Sequence, residues 1–289
     1  MKTLMLENDQ LAVTIALVGA EIRAITNRSS GHQYMWSGDS HIWSGVSPIL
    51  FPVVGQTIGV VRYNGKSYPL GNHGFARHSE FQVTQHTPTA VSLELTTNTS
   101  VATCYPFNLC LQVTYSLEGH QLIMAYQVTN LDGISAYFSL GAHPAFACPF
   151  ANAQQLSNYY LEFAQEEILT QWELTPEALL SGKQQQLALH RIELSAHIFD
   201  QGALMFSGMQ SNSIALRENG SNRQIKVSLA GFPLLGVWSK PGANFVCIEP
   251  WCGHSDNVDF SGEVNRKPAI EVVNANSSWH REISLEFCY

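Results

Sequence analysis

What this sequence has little of narrows its reading first. Only 13% of its 289 residues are charged, and 15 basic against 23 acidic residues leave a net charge of −8. No run of Lys or Arg is long enough to follow a phosphate backbone, so nucleic acid is not an expected partner. No segment approaches the roughly 18 to 20 uninterrupted apolar residues of a membrane-spanning helix. The apolar stretch from Leu11 to Ala20 is preceded by Glu7, Asn8 and Asp9 and contains Thr14, which argues against a cleaved export signal. Six cysteines, at positions 104, 110, 148, 247, 252 and 288, include no Cys-x-x-Cys pair. Without an export signal they read as reduced thiols, mostly buried, in a cytoplasmic protein. Cys247 and Cys252 have four residues between them and no second pair nearby, and the 11 histidines show no His-x-x-x-His spacing, so no metal is expected. An internal repeat, a low-complexity tract and a Pro/Gly/Ser linker are also lacking, which predicts a single domain over 1–289.

What is present is alternation. Val91-Ser-Leu-Glu-Leu-Thr, Leu109-Cys-Leu-Gln-Val-Thr-Tyr-Ser-Leu, Ile225-Lys-Val-Ser-Leu and Ile283-Ser-Leu-Glu-Phe each place apolar side chains on one face, the period of a half-buried strand. Asn64-Gly65, Asp132-Gly133, Asn219-Gly220 and Pro241-Gly242 punctuate the chain as turns and predict hairpins. A short helix is expected only over Thr175 to Ser181, where Pro176 follows a capping hydroxyl. The stretch 154–189 is richer in Gln and Glu and less regular, with no domain boundary expected there. The fold class that follows is all-β: large stacked antiparallel sheets with few short helices and a broad face open to a ligand.

Three segments break the alternation and gather polar groups beside aromatics: Asn72-His-Gly-Phe-Ala-Arg77, Gly141-Ala-His-Pro-Ala-Phe146 and Cys247-Ile-Glu-Pro-Trp251. In the last, an apolar strand runs into Glu249, and Pro250 is expected to stop it and so fix the carboxylate at a strand end. In the second, Pro144 favours an extended His143, and Gly141 leaves room for a close approach. Taken singly, a histidine among apolar residues is more often a satisfied core or loop residue. A carboxylate following four apolar residues is harder to account for without a role or a partner, because a buried charge is costly.

Trp43-Ser-Gly-Val-Ser-Pro-Ile-Leu-Phe-Pro52 and these three segments, in this order and spacing, resemble the signature stretches of the aldose 1-epimerase (galactose mutarotase-like) family, and the likeness runs over nearly the whole chain. The resemblance implies a β-supersandwich fold, a sugar as the small-molecule substrate, no metal or organic cofactor, and isomerase chemistry that interconverts α and β anomers. It further implies Glu249 as the general base on the anomeric hydroxyl, His143 as the general acid on the ring oxygen, and His73 as a hydrogen-bonding partner of the sugar. Ring opening must remove one proton and supply another almost together, which suits an ionised carboxylate facing a protonated imidazole. Arg77, Asn72, Phe75 and Trp251 are candidate substrate contacts, with Phe146 a further aromatic weighed against a core role. Gln56 stands where the family usually carries a sugar-reaching arginine, and Asp200 is the nearest counterpart of the family's sugar-binding aspartate. Two rival readings follow. One is a hexose-6-phosphate mutarotase using Arg77 and Arg62, and the other is a non-catalytic sugar-binding protein, for which Gln56 is the argument. The oligomeric state is expected to be monomer or homodimer.

Overall fold

Alternation does build the molecule. The computed structural model describes residues 2–97, 103–150 and 155–288, and its only helical pieces among those residues are three 3-10 turns of three residues each, Ala76–His78, Leu156–Asn158 and Val264–Arg266. Among the described residues, no helix is long and apolar enough to cross a membrane. A three-stranded meander, Thr3–Glu7, Leu11–Ala16 and Ile22–Asn27, lies beside one antiparallel sheet of 15 strands. A sheet of that length does not stay open and flat. Its faces enclose one large core that draws on residues from Leu6 to Phe287.

The path through the large sheet explains where the site falls. It runs from Ile49–Leu50 through Leu140–Ala142, Phe245–Cys252, Leu234–Trp238 and Leu204–Ser207 to the 16-residue strand Tyr159–Leu174. It continues through Ser213–Glu218, Gln224–Ser228, Ser278–Cys288, Gln121–Asn130, Leu109–Glu118 and Ala90–Thr96 to the edge strand Gln82–His86. The long strand serves both halves: its first part pairs with Ser213–Glu218 and its last part with Leu204–Ser207. Between them its register shifts from Glu162 to Glu167. There the buried Glu167 carboxylate accepts the backbone N–H of Gln210 at 2.9 Å and of Ser211 at 2.6 Å. A carboxylate bonded in this way pins the loop against the bulge and fixes the bend.

The expected strands over 91–96, 109–117, 225–229 and 283–287 are found in Ala90–Thr96, Leu109–Glu118, Gln224–Ser228 and Ser278–Cys288, the third stopping one residue short of Leu229. Asn64-Gly65, Asn219-Gly220 and Pro241-Gly242 close hairpins between paired strands. Three expectations need correction. Asp132-Gly133 closes no hairpin, because the strand that follows, Ala136–Phe138, pairs with Glu271–Val273 instead. Thr175 to Ser181 is not helical. Leu174 and Leu180 are cross-strand partners, so the intervening five residues form a hairpin loop, with the Ala178 N–H donating to Thr175 O at 2.8 Å. Five residues between paired strands are too few to nucleate a helix, and the stretch around them, read as irregular, is the longest hairpin of the fold.

Pro250, the third, does not stop its strand, which continues to Cys252. On one side of this strand, Leu140–Ala142 pairs up to Trp251 and Ala145–Ala147 from Cys247, leaving a gap opposite His143 and Pro144. The Ile248 N–H points to that side and reaches Pro144 O. Pro250, two residues on, faces the same gap, where no ladder hydrogen bond is lost.

Candidate active site

The strand Phe245–Cys252 is buried at all eight positions, so each of its faces has a partner. Val246, Ile248 and Cys252 join the large core. Phe245 and Cys247 pack with Trp36, Ala145 and Ala243, and Trp251 packs with Leu50, Val54, Leu180, Met205 and Leu234. Glu249 lies between these two satellite clusters, 1% exposed, beneath a cleft of about 560 Å³. That volume is within the usual range for a small-molecule site. Trp251 is seated by the absence of side chains: a Cβ on Gly141 would meet its ring at 2.5 Å, and a Cβ on Gly236 would meet it at the same distance. Gly141 is the cross-strand partner of Trp251, which accounts for the close approach expected at Gly141.

His143 occupies the break between Leu140–Ala142 and Ala145–Ala147, and its Nε2 lies 3.3 Å from Glu249 Oε2. An aromatic wall holds the imidazole. Trp43 lies over it at 5.1 Å and 30°, and Trp238 meets it edge-on at 5.8 Å. Trp43 in turn stacks on Phe245 at 5.4 Å, and the Trp36 indole N–H donates to Trp43 O at 2.9 Å, fixing the loop that carries it. His73 closes the group, its ring edge-on to His143 at 5.7 Å.

His73 sits at φ +61°, in the left-handed region, just before Gly74 at φ +71°. Such strain persists only where surrounding contacts hold it. The Gly55 N–H donates to His73 Nδ1 at 3.0 Å, and the His73 N–H donates to Gly55 O at 3.0 Å. Phe75 and Ala76 N–H groups both donate to Phe51 O, and a Cβ on Gly74 would come within 2.3 Å of that oxygen. Because Nδ1 accepts a hydrogen bond, His73 is the neutral tautomer carrying its proton on Nε2. Burial, with the positive Arg77 guanidinium nearby, lowers its pKa to about 3.

Burial likewise decides the charge of the central pair. It pushes the Glu249 carboxyl well above the usual carboxylate range, against the opposing influence of the Trp251 indole and the Arg77 guanidinium. It pushes His143 well below the usual imidazole range, helped by His73 and Arg77. Burial thus works against the expected ionised carboxylate beside a protonated imidazole and favours a carboxylic acid beside a neutral imidazole, because neither charge is solvated. The total number of protons on the pair is the same in both descriptions. His143 Nδ1 and Glu249 Oε2 have no hydrogen-bond partner, which leaves both free for a ligand.

Of the residues singled out from sequence, Glu249, His143, His73, Arg77, Asn72, Trp251 and Asp200 line this one cleft. Asp200 also pairs with His197 Nδ1 at 2.9 Å. Gln56 and Phe75 do not line it. Phe75 turns inward against Phe51 and Tyr105, since its position beside a buried alanine places it over the core. Gln56 serves through its backbone, which accepts from the Asp256 N–H at 2.8 Å and donates to Ser255 Oγ at 3.1 Å. Phe146 is fully buried in the large core. Sequence reasoning passed over Trp43, Trp238, Ser255 and the hairpin loop Thr175-Pro176, all of which line the cleft. Trp43 opens one of the quoted signature stretches, so a signal for it existed. Nothing local marks Ser255 or Trp238.

The rim has its own anchor. The buried Asp256 receives Lys267 Nζ at 2.6 Å and the Ile58 N–H at 2.9 Å, while its backbone O accepts the Leu180 N–H. One residue thus joins the loop after Gly55, the loop after Cys252 and the hairpin that overhangs the cleft. Past Leu174 and Gln201 the cleft continues into an open groove of about 570 Å³ lined by Gln171, Trp172, Gln184 and Gln185.

The large curled antiparallel sheet is the fold of galactose mutarotase-like proteins. The structure superposes on the galactose mutarotase related enzyme from Lactobacillus acidophilus with a TM-score of 0.96, at 27% identity, covering 100% of this chain and 98% of that one. It also superposes on a galactose mutarotase-like protein from Lactobacillus casei ATCC 334 with a TM-score of 0.94, at 27% identity and 99% and 100% coverage. By sequence the chain is similar to Protein LacX, chromosomal, of Lactococcus lactis subsp. lactis, 29% identical over 284 residues, 94% of each chain. The sequence model of the family described as Aldose 1-epimerase matches residues 2–284, and the chain belongs to that family.

Proposed function

We propose that the protein is an aldose 1-epimerase acting on a free hexose, and that Glu249 and His143 exchange the two protons of ring opening and closure. The observation that carries this reading is the 3.3 Å approach of His143 Nε2 to Glu249 Oε2, both buried, beneath a cleft open to small molecules. At that distance the single proton of the pair moves from the carboxyl to the imidazole when sugar hydroxyls hydrogen-bond the carboxylate. Glu249 then accepts the proton of the C1 hydroxyl as the C1 to ring-oxygen bond breaks, and His143 delivers its proton to the ring oxygen. Rotation about C1–C2 and the reverse transfers close the ring on the other face, returning both groups to their starting state. Each transfer is worth about 10²- to 10⁴-fold. His73, held neutral with Nε2–H toward the cleft side of the pair, donates a hydrogen bond without competing for the proton. Arg77 is the cation that offers hydrogen bonds to hydroxyls.

A neutral sugar is favoured over a phosphosugar. Among the described residues lining the cleft, Arg77 is the single Lys or Arg, and Arg62 is not among them. A phosphate dianion is held by clustered cations or bidentate arginines. The test is polarimetry of freshly dissolved α-D-glucose and α-D-galactose with the wild type, Glu249→Gln and His143→Ala. The wild type should speed the decay above the spontaneous rate, and each variant should lose about 10²- to 10⁴-fold. Acceleration of glucose 6-phosphate alone would establish the phosphosugar reading, and binding without acceleration of any sugar would establish a carbohydrate-binding protein.

A further inference from the structure

One buried nucleophilic group faces the acid–base pair and takes no part in the chemistry above. Cys247 lies two residues before Glu249 on the strand Phe245–Cys252, so the two side chains project from the same face. One ligand atom each of His143, Cys247 and Glu249 lie within 4.8 Å of one another, and these are the only three or more metal-ligating side chains so gathered among the described residues. The sequence hid this cluster because His143 is more than 100 residues away and reaches the strand only through the sheet.

The distances suit a small tetrahedral cation. Zinc holds an imidazole nitrogen at about 2.0–2.1 Å, a thiolate at about 2.3 Å and a carboxylate at about 2.0–2.2 Å, which places any two such ligands about 3.3–3.6 Å apart. The His143 Nε2 to Glu249 Oε2 separation of 3.3 Å already matches one edge of that tetrahedron. The thiol completes the face by moving about 1 Å, within what a side-chain torsion allows. Glu249 Oε2 and His143 Nδ1, both in side chains more than nine-tenths buried, have no hydrogen-bond partner. A thiolate and a carboxylate also neutralise a divalent ion, so the closed site buries no net charge, although Arg77 nearby opposes cation entry. His143 and Glu249 line the cleft from which an ion would enter, with Cys247 buried behind them.

We propose that His143, Cys247 and Glu249 form a binding site for a thiophilic divalent cation of the zinc type, whose occupancy reversibly blocks proton transfer by taking both members of the pair. On binding, the Cys247 S–H bond breaks, a sulfur–metal bond forms and the thiol proton passes to solvent. The carboxyl proton leaves in the same way, and a chelator reverses both steps. Thiolate ligation selects zinc or cadmium over magnesium and calcium. The inhibitory part rests on the reading of Glu249 and His143 given above, and the metal site itself does not.

The full chain, reduced and stripped with a chelator, is titrated with CoCl₂, ZnCl₂ and MgCl₂ beside Cys247→Ser and Cys247→Ala. The wild type should give a thiolate-to-cobalt charge-transfer band and tetrahedral visible bands that zinc abolishes. Both variants should lose the charge-transfer band. Zinc should suppress wild-type mutarotation and a chelator should restore it, magnesium should do nothing, and the variants should keep their activity while needing more than about tenfold more zinc. No cobalt band in the wild type, or equal zinc sensitivity in both folded variants, overturns the proposal. A wild-type band lost in the variants, in a protein that turns over no sugar, supports the metal site and removes the proposed activity instead.

Discussion

Two strands of the same sheet obey different rules. Leu109–Glu118 alternates buried and half-buried side chains along nearly its whole length, whereas Phe245–Cys252 is buried at every position. The first needs one covered face, and it makes the fold. The second needs two, and what covers its second face, the Trp43 loop and the overhanging hairpin, leaves the cleft between its parts. A strand that departs from alternation, with a carboxylate in its middle, therefore marks where this architecture places its cleft. On the function proposed above, stability and reactivity are correspondingly divided between the two strands.

Substitutions can test that division. Leu111→Ala removes a fully buried side chain of the alternating strand and should cost about 2–5 kcal/mol in denaturant unfolding. Its KM and kcat should stay near wild type at temperatures where it is folded, while Glu249→Gln should change stability by less than about 1 kcal/mol. A large stability loss in Glu249→Gln would break the comparison. Gly74→Ala should affect both sides of it. A methyl at φ +71° and 2.3 Å from Phe51 O costs about 1–3 kcal/mol in strain, and by displacing His73 it should also lower kcat/KM. The smallest effect concerns pH. Below the lowered His143 value the pair gains a second proton, and above the raised Glu249 value it loses its last one. Between those limits it holds one proton, so kcat should be flat over a span wider than the roughly two units that separate an ordinary carboxyl from an ordinary imidazole. A narrow bell would show that water reaches the pair.

Much of this was legible in the sequence because it is local. Period-two patterning located the strands at 91–96, 109–117, 225–229 and 283–287, and the departures from it located His73, His143 and Glu249. What was not legible depends on partners distant in the chain. Thr175-Pro176 read as a helix start because nothing nearby says that Leu174 and Leu180 pair. Pro250 read as a stop because the gap opposite it is made by residues 142–144. The protonation of the pair read as ionic, and the burial that works against that reading cannot be counted from a one-dimensional pattern. Gln56 and Phe75 were placed by analogy of position, and neither lines the cleft: the Phe75 side chain fills the core, and Gln56 bonds the Ser255 and Asp256 loop through its backbone.

The position of the strand Ser278–Cys288 has a consequence for biosynthesis. It follows every other described strand in sequence, yet it lies inside the large sheet, between Gln224–Ser228 and Gln121–Asn130. A nascent chain that has not yet emerged past residue 278 holds two unpaired sheet edges with no strand to join them. Such edges pair readily with other chains. Closure must therefore wait for residues 278–288 to be made, and a vulnerable interval of this protein's life is the one between translation of Asn130 and the arrival of a strand made some 150 residues later.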